Sequence, residues 1–178
     1  DSFTYAADLF YNERMGFSFK WSQEGEVKDF MNEVNNHANA FVFTDRVTGK
    51  WRIVPVRGDY DVDELPILTD EDFTVEEMTR REYAECVNAV TINYHDIEKN
   101  DKRSRTVYNL ASIQQLGFIN ATTVTYDGCL RTDLAFRLAE RDLLTLGYPL
   151  LTGSGMCSRK YSWLFPGAVI RLFLPRHN

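Results

Sequence analysis

The sequence predicts an α+β fold of two units, a small unit of helices and a β-hairpin followed by a strand-rich unit that carries one long helix. Apolar residues recur at helical spacing in three separate segments. Between these segments, aromatic and β-branched residues alternate with polar ones, which is typical of strands. An acidic stretch that closes at Pro66 separates the two patterns, so we place the units at residues 1–66 and 67–178.

The composition is that of a folded, acidic chain. Of 178 residues, 44% are hydrophobic and 26% are charged, and the formal net charge is −6. The first two values are typical of folded proteins, and the negative charge disfavours binding of the whole chain to nucleic acid. No stretch approaches the ~20 apolar residues that a membrane span needs. The chain begins at Asp1 without a methionine and ends directly after a strand-like run, so we expect a fragment of a longer polypeptide.

Two helices and a hairpin are predicted in the first unit. Residues 3–15 and 27–38 each carry an apolar stripe with spacings of three and four. Residues 17–21 alternate aromatic with polar side chains and predict a short strand. Residues 41–45 and 50–57 predict the hairpin, with Gly49 at a turn position that favours a positive φ. Pro55 cannot donate to a ladder, so its strand should meet an edge or end there.

The second unit is predicted to contain strands and one long helix. The helix spans residues 132–146 on a stripe that includes Leu134, Leu138 and Leu143, and Gly147 should follow its end. A short helical turn is predicted over residues 111–116, and a charged turn over residues 99–105. The strand-like segments are residues 73–83, 88–94, 106–108, 118–126, 148–157 and 168–174.

Asp59, Asp61 and Asp63 imitate the opening of a calcium-binding loop. Such a loop also needs a glycine at its sixth position and a bidentate glutamate at its twelfth. This chain has Glu64 and Asp70 at those positions. The preferred interpretation is a solvated acidic turn between the two units, and a cation site is the alternative.

A basic cluster formed by Lys99, Lys102, Arg103 and Arg105 could contact phosphate. Acidic residues at positions 96, 98 and 101 interleave with it and dilute its field. We therefore interpret the cluster as a solvated hairpin tip.

The nucleophile and base residues of the chain do not form a recognisable catalytic motif. His37 lies beside the stripe of the second helix, and neither His95 nor His177 stands in a known arrangement with a serine or cysteine. The segment Gly153–Gly155 is interpreted as a small flexible patch. The cysteines are widely spaced, without a C-x-x-C pair, which predicts reduced thiols; they are Cys86, Cys129 and Cys157. We predict no catalytic, cofactor-binding or metal-binding residues.

The order of the motifs along the chain resembles a known family. The helix at 27–38 precedes the segments 41–45, 48–50 and 56–61; later come 88–94, the long helix, 148–150 and 166–170. In this order the motifs resemble the central part of the tail-tip proteins of long-tailed bacteriophages. Those proteins resemble the baseplate hub of contractile tails and the lambda-type tip attachment protein. The resemblance covers nearly the whole chain, although Gly58 stands where family members often carry another polar residue.

The resemblance implies a structural component of the virion and not an enzyme. Residues 67–178 would then form an antiparallel, β-barrel-like hub unit similar to tail-tube proteins. The chain would be made in the bacterial cytoplasm and would assemble with copies of itself, as a trimer, and with other tail proteins. It would join the tail tube to the host-recognition parts and line the DNA exit path without specific nucleic-acid recognition. A carbohydrate-active lytic enzyme and a host-receptor-binding module are the alternatives.

Overall fold

The structure, a computed structural model, describes residues 1–19 and 26–175. In these ranges it contains four α-helices and nine β-strands, so the predicted α+β class is confirmed. The helices are α1 (Ser2–Asn12), α2 (Val27–Ala38), α3 (Leu110–Leu116) and α4 (Thr132–Leu146). The strands are β1 (Ala40–Thr44), β2 (Trp51–Pro55), β3 (Ile67–Thr69), β4 (Phe73–Arg80), β5 (Ala89–Asp96), β6 (Asp101–Tyr108), β7 (Ala121–Thr125), β8 (Leu151–Cys157) and β9 (Arg171–Phe173).

The chain forms two compact units, and each is discontinuous in sequence. The first unit contains Asp1–Asp8, Asn39–Thr79 and the chain from Leu151 onward, and the second contains Leu9–Ala38 and Arg80–Leu150. This division differs from the predicted boundary at Pro66. The reason is that β9 pairs with β3 and β8 pairs with β4, which returns the end of the chain to the first unit.

The described strands pair in four small sheets. Three sheets have two strands each, β1-β2, β3-β9 and β4-β8, and the fourth has the order β6-β5-β7. An antiparallel, β-barrel-like unit was predicted for residues 67–178. The pair β5–β6 is antiparallel, but β3–β9 and β5–β7 are parallel, and the described strands of this range lie in three separate sheets. A parallel pair needs a crossover connection, and α3 lies in the connection between β6 and β7.

The core of the second unit lies between α4 and the three-stranded sheet. Alternate residues of β5 are buried on the side of α4, which packs on β5 and β6. Four of the α4 residues on the predicted stripe are at most 2% exposed. The central buried side chains are Val90, Ile92, Tyr94, Leu134, Ala135, Leu138 and Ala139. The apolar period of 3.6 in the helix and of two in the strand therefore creates one shared core.

Gly147 follows α4 as predicted, but for a different reason. Its φ is −86°, so it does not adopt the left-handed conformation of a common helix C-terminus. A Cβ at this position would lie 2.5 Å from the Leu143 carbonyl oxygen and 3.1 Å from that of Val87. The close approach of two backbones, and not the sign of φ, therefore favours glycine here.

The β1–β2 hairpin agrees with its prediction. Gly49 has a φ of 67°, and Asp45 Oδ1 accepts the backbone N–H of Val47 at 2.7 Å within the turn. Pro55, at the end of β2, is paired with Ala40. The predicted strand over residues 17–21 is not formed by residues 17–19, and Lys20 and Trp21 lie outside the described residues.

The segment Gly153–Gly155, which was predicted to be a flexible patch, is part of strand β8. Thr79 and Thr152 contact each other near one end of the β4–β8 ladder, and Ser158 N–H bonds the Asp72 carbonyl near the other. The strands therefore run in opposite directions. A Cβ at Gly155 would overlap the Thr74 carbonyl oxygen and the Phe73 ring, so this ladder packs backbone against backbone.

We expect Gly155→Ala to lower the free energy of unfolding of the first unit by about 1–2 kcal/mol, because the new methyl group must displace β4. Fluorescence during urea denaturation is a suitable measurement, since Trp51 and Trp163 lie in the first unit. Gly58→Ala is the matched control, because a Cβ there has nothing within 4 Å. Equal stabilities of the two variants would contradict the tight packing of the ladder.

Candidate interaction surfaces

The three aspartates of the calcium-like segment do not converge on one point. Asp61 Oδ1 accepts the N–H of Asp63 at 2.9 Å, Asp59 Oδ2 accepts the hydroxyl of Tyr5 at 3.4 Å, and Asp63 lies 3.6 Å from Arg171. Each carboxylate therefore serves a different neighbour. Within residues 1–19 and 26–175, no group of three or more His, Cys, Asp or Glu could hold a metal ion.

The basic cluster lies mostly in a strand and not in the predicted turn. Residues 97–100 form the turn, and β6 begins at Asp101. Arg105 is opposite Ile92 and Arg103 is opposite Tyr94, so both arginines lie on the sheet face that α4 covers. Lys102, opposite His95, lies on the other face.

The face of this sheet remote from α4 is polar. In register across the three strands lie two rows of small polar side chains, Thr123–Thr91–Thr106 and Thr125–Asn93–Ser104. The hydroxyls of Thr91 and Thr106 are 2.8 Å apart and hydrogen-bonded. At one end of this face, His95 and its neighbours line a cleft of about 400 Å³. No hydrogen bond joins His95 to Ser104 or Asp127, so the contact that a nucleophile and its base require is not formed among these described residues.

A buried polar network holds α2 to α4 and to the end of β7. The Arg141 guanidinium donates to Asp142 Oδ1 at 2.9 Å, to the Tyr126 hydroxyl at 2.7 Å and to the His37 carbonyl at 2.9 Å. The Tyr126 hydroxyl in turn donates to Asp142 Oδ2 at 2.8 Å. Burial raises the pKa of Tyr126, so its hydroxyl keeps its proton. Each group in the network has a partner, which makes this a structural clamp.

His37 lies beside this clamp, with an imidazole that is almost completely buried. The residue is 2% exposed, and its ring packs against Phe17 and Tyr126 at centroid distances of 5.6 and 5.7 Å. Neither ring nitrogen has a hydrogen-bond partner among the described residues. Burial lowers the pKa of His37, the charge of Arg141 lowers it further, and the backbone of Gly16 opposes the shift. His37, in the last turn of α2, is therefore a neutral core residue and not a surface histidine.

We expect the free energy of unfolding of the second unit to decrease as the pH falls below about 6.5. The folded state keeps His37 neutral, whereas the unfolded state takes up a proton near the ordinary histidine pKa. The unfolded state then binds more protons, so stability is lost between about pH 6.5 and the lowered pKa of the folded state. Burial raises the pKa of Glu33, which acts in the opposite sense at lower pH.

Urea-dependent amide hydrogen exchange in β5, compared between about pH 7 and pH 5.5, measures this effect. His37→Leu should remove most of the dependence, while His95→Gln, on the polar sheet face, should leave it intact. If the free energy of unfolding depended on pH equally in the wild type and in His37→Leu, groups other than His37 would cause the dependence.

The cysteines are unpaired thiols. Cys86 and Cys129 are buried, whereas Cys157 is exposed. Burial raises the pKa of Cys129, so its thiol remains protonated and unreactive at neutral pH. His177 lies outside the described residues.

A groove of about 620 Å³ runs along β2 in the first unit. Two hydrogen bonds define which backbone groups of β2 face β1. Val56 N–H donates to the Asn39 carbonyl, and Asp45 N–H donates to the Lys50 carbonyl. The backbone groups of Trp51 and Ile53 point to the opposite edge, where Ile53 N–H donates to Ser2 Oγ at 3.4 Å. The groove therefore exposes part of an unpaired strand edge.

Charged and aromatic side chains line the rest of this groove. Tyr5 and Trp51 are 56% and 59% exposed. Asp45 and Asp59 supply carboxylates, and the backbone N–H of Val47 lowers the pKa of Asp45. A glycosidase acid needs a carboxyl pKa that is raised, which is the opposite direction. The groove is better suited to binding than to acid catalysis.

The two-stranded ladders of the first unit are thin and carry exposed apolar side chains. All three residues of β9 are exposed, and β8 is exposed at six of its seven positions. Two-stranded ladders are marginal without further burial. On the β3–β9 and β4–β8 ladders the exposed large side chains are Ile67, Leu151, Met156, Leu172 and Phe173.

Sequence reasoning missed Arg141, Asp142 and Arg137 as organising residues. Arg137 donates to the carbonyls of Glu13 and Arg14, at 2.6 and 3.0 Å, and so holds the chain that follows α1. Arg141 and Arg137 are four residues apart on the edge of the apolar stripe of α4. Their position in the sequence could have indicated this role, since a charged residue beside a buried stripe often needs a partner there.

In the part of the chain that the structure describes, no helix is both long and apolar enough to cross a membrane. A comparison of the sequence with protein-family models finds no match, and a comparison with curated proteins finds no significant match.

Proposed function

We propose that this chain is a structural component of a bacteriophage tail tip or baseplate hub. It assembles there with copies of itself, as a trimer, and with other tail proteins, and connects the tail tube to the host-recognition parts. The order of motifs along the sequence suggests the family. The thin ladders with exposed apolar side chains in the first unit are the observation that carries the proposal.

These ladders favour an assembly component because their exposed surfaces gain from being covered. Ile67 on β3 and Phe173 on β9 are 48% and 61% exposed in the isolated chain. Burying such side chains against a neighbour stabilises by about 25 cal/mol per Å² of apolar surface. Strands of neighbouring copies would extend the ladders into the curved, barrel-like sheet that the resemblance implies, and free edges are suited to such pairing.

The DNA exit path belongs to the same proposal. The small, mostly uncharged side chains on the open face of the β6-β5-β7 sheet offer few charges to hold a phosphate backbone. Passage of DNA needs such a surface, because tight phosphate contacts would stop the movement. The role is structural, and the chain acts within the virion tail.

Antibody labelling tests the proposal directly. Antibodies raised against the recombinant chain should decorate the distal tip of intact tails when particles from the encoding strain are examined by electron microscopy. Pre-immune antibodies are the control. Labelling of another part of the particle, or of none, would contradict the proposal.

A host-receptor-binding module is the second candidate, and the groove beside β2 favours it. Its exposed Trp51 ring and the Asp59 carboxylate are groups that bind saccharides through stacking and hydrogen bonds. The wild-type chain should then co-sediment with host cell walls, and Trp51→Ala should lose this binding, whereas Trp163→Ala, with a similar exposure of 55%, should not. For the carbohydrate-active enzyme, the corresponding test is release of glycan fragments above a blank.

A further inference from the structure

A basic cleft of about 890 Å³ lies between the edge strand β6 and α4 in the second unit. Arg14, Arg105 and Arg137 line it, together with Phe136. Among the described residues in its lining, Asp133 alone is acidic, and Arg131 already holds it through two hydrogen bonds of 2.9 Å. The cleft is therefore strongly positive although the whole chain is negative.

The structure fixes where these cations lie. Arg137 binds the backbone carbonyls of Glu13 and Arg14, and Arg14 adopts a φ of 53°. The side chains of Arg14 and Arg105 form no ion pair with a described residue, and both residues are exposed. Two guanidinium groups with unused donors thus stand beside a Phe136 ring that is 46% exposed.

Guanidinium groups bind carboxylates in a planar, two-pronged geometry, and an aromatic neighbour adds an apolar contact. A short acidic segment with apolar side chains between its carboxylates fits this lining, because the carboxylates can pair with Arg14 and Arg105 while an apolar side chain packs on Phe136. A phosphate ligand would use the arginines but not the Phe136 ring.

The same chain exposes such a segment in its first unit. Residues 58–64 are all exposed and carry four carboxylates. Tyr60 and Val62 alternate with the aspartates and are 46% and 53% exposed. The Asp63 side chain is 93% exposed, so its pairing with Arg171 at 3.6 Å leaves it open to another partner.

We infer that the arginine cleft binds the acidic segment 58–64 of a second copy of this chain, in a head-to-tail contact. This inference rests on the proposed function and identifies the surfaces through which copies meet. A heterologous contact of this kind joins each copy to the next, and it closes into a ring when its rotation allows. The acidic residues would pair with Arg14 and Arg105, while Tyr60 or Val62 packs on Phe136.

Cysteine cross-linking between two differently tagged chains tests the contact. One chain carries Phe136→Cys, in the lining of the cleft, and the other carries Tyr60→Cys, which the proposed contact places against position 136. Both also carry Cys157→Ser, which leaves only the two buried native thiols. Under mild oxidation we expect a mixed disulfide dimer. Adding Arg14→Glu and Arg105→Glu to the cleft chain should reduce its yield at least about tenfold, because attraction becomes repulsion.

Two further variants decide the interpretation. Asp61→Lys with Asp63→Lys in the segment chain should restore the dimer with the charge-reversed cleft. Arg80→Glu with Arg81→Glu is the matched control, since it makes the same charge change at exposed positions outside the cleft and should leave the yield unchanged. Circular dichroism of every variant shows that the chains remain folded.

The inference is overturned if the parent pair forms no mixed dimer, or if the yield does not respond to reversal of the cleft charges. Binding of single-stranded oligothymidine is measured by fluorescence anisotropy. If the oligonucleotide binds the wild type and not the Arg14→Glu/Arg105→Glu chain, while no dimer forms, the inference is also overturned. Tail-tip labelling by antibodies separates the two proposals. Labelling without the cross-link rejects this contact and leaves the tail role standing.

Discussion

Replacement of Arg141 by methionine should lower the free energy of unfolding of the second unit by about 2–3 kcal/mol. The substitution removes four hydrogen bonds, of which the two to the His37 carbonyl and the Tyr126 hydroxyl connect α4 to other elements, and it leaves Asp142, with a side chain only 14% exposed, without its cation. The expected cost lies below that of a fully buried pair because the Arg141 side chain is 22% exposed. Urea-dependent hydrogen exchange of the β5 amides measures the loss.

Arg131→Met provides a matched control for this experiment. Arg131 also forms a two-pronged pair, with Asp133, but the two side chains are 62% and 53% exposed, so the expected loss is at most about 0.5 kcal/mol. The double variant Arg141→Met/Asp142→Leu should recover part of the stability, because no uncompensated charge remains. If Arg141→Met were no more destabilising than Arg131→Met, the clamp would not hold the unit together.

Truncation of Leu138 to alanine should lower the free energy of unfolding of the second unit by about 3 kcal/mol, again measured by urea-dependent hydrogen exchange. Leu138 is fully buried in the contact of α4 with the sheet, where it belongs to the same cluster as Val90 and Ile92. The change removes the transfer free energy of the side chain and leaves a cavity that the strand and helix backbones cannot fill. The m-value should remain that of the wild type, since the same surface unfolds.

Leu144→Ala on the same helix is the control for side-chain size and helix propensity. Leu144 is 63% exposed, so its truncation should change stability by less than about 0.5 kcal/mol. A loss at position 144 as large as that at position 138 would mean that the outer face of α4 is also covered, for example by a second copy of the chain.

The spacing of apolar residues predicted the helices, strands and turns whose formation depends on residues close together in sequence. The bounds of α4 agree with the predicted residues 132–146, and β5 covers residues 89–94 of the predicted segment 88–94 and extends to Asp96. Gly49 occupies the positive-φ turn as expected. These features follow from the spacing of apolar residues and from backbone sterics, which act over a few residues.

The candidate surfaces could be predicted only in part. The sequence shows that residues 59–64 are acidic, and their exposure follows from that charge. It does not show that Arg14 and Arg105 line one cleft, because those positions are brought together by α1, α4 and β6. Nor does it show that His37 is buried between two aromatic rings, because this depends on Phe17 and Tyr126 from other segments.

The sequence by itself determined the α+β class, the long helix, the hairpin turn and the acidic balance of this protein. The tertiary structure alone decided that β3 pairs in parallel with β9, that the two units are discontinuous, and that Arg141 joins α2 to Tyr126. The physical reason is that helix and turn formation depend on local backbone geometry. Strand pairing and buried polar networks depend instead on groups far apart in sequence, which become partners only when burial removes water from them.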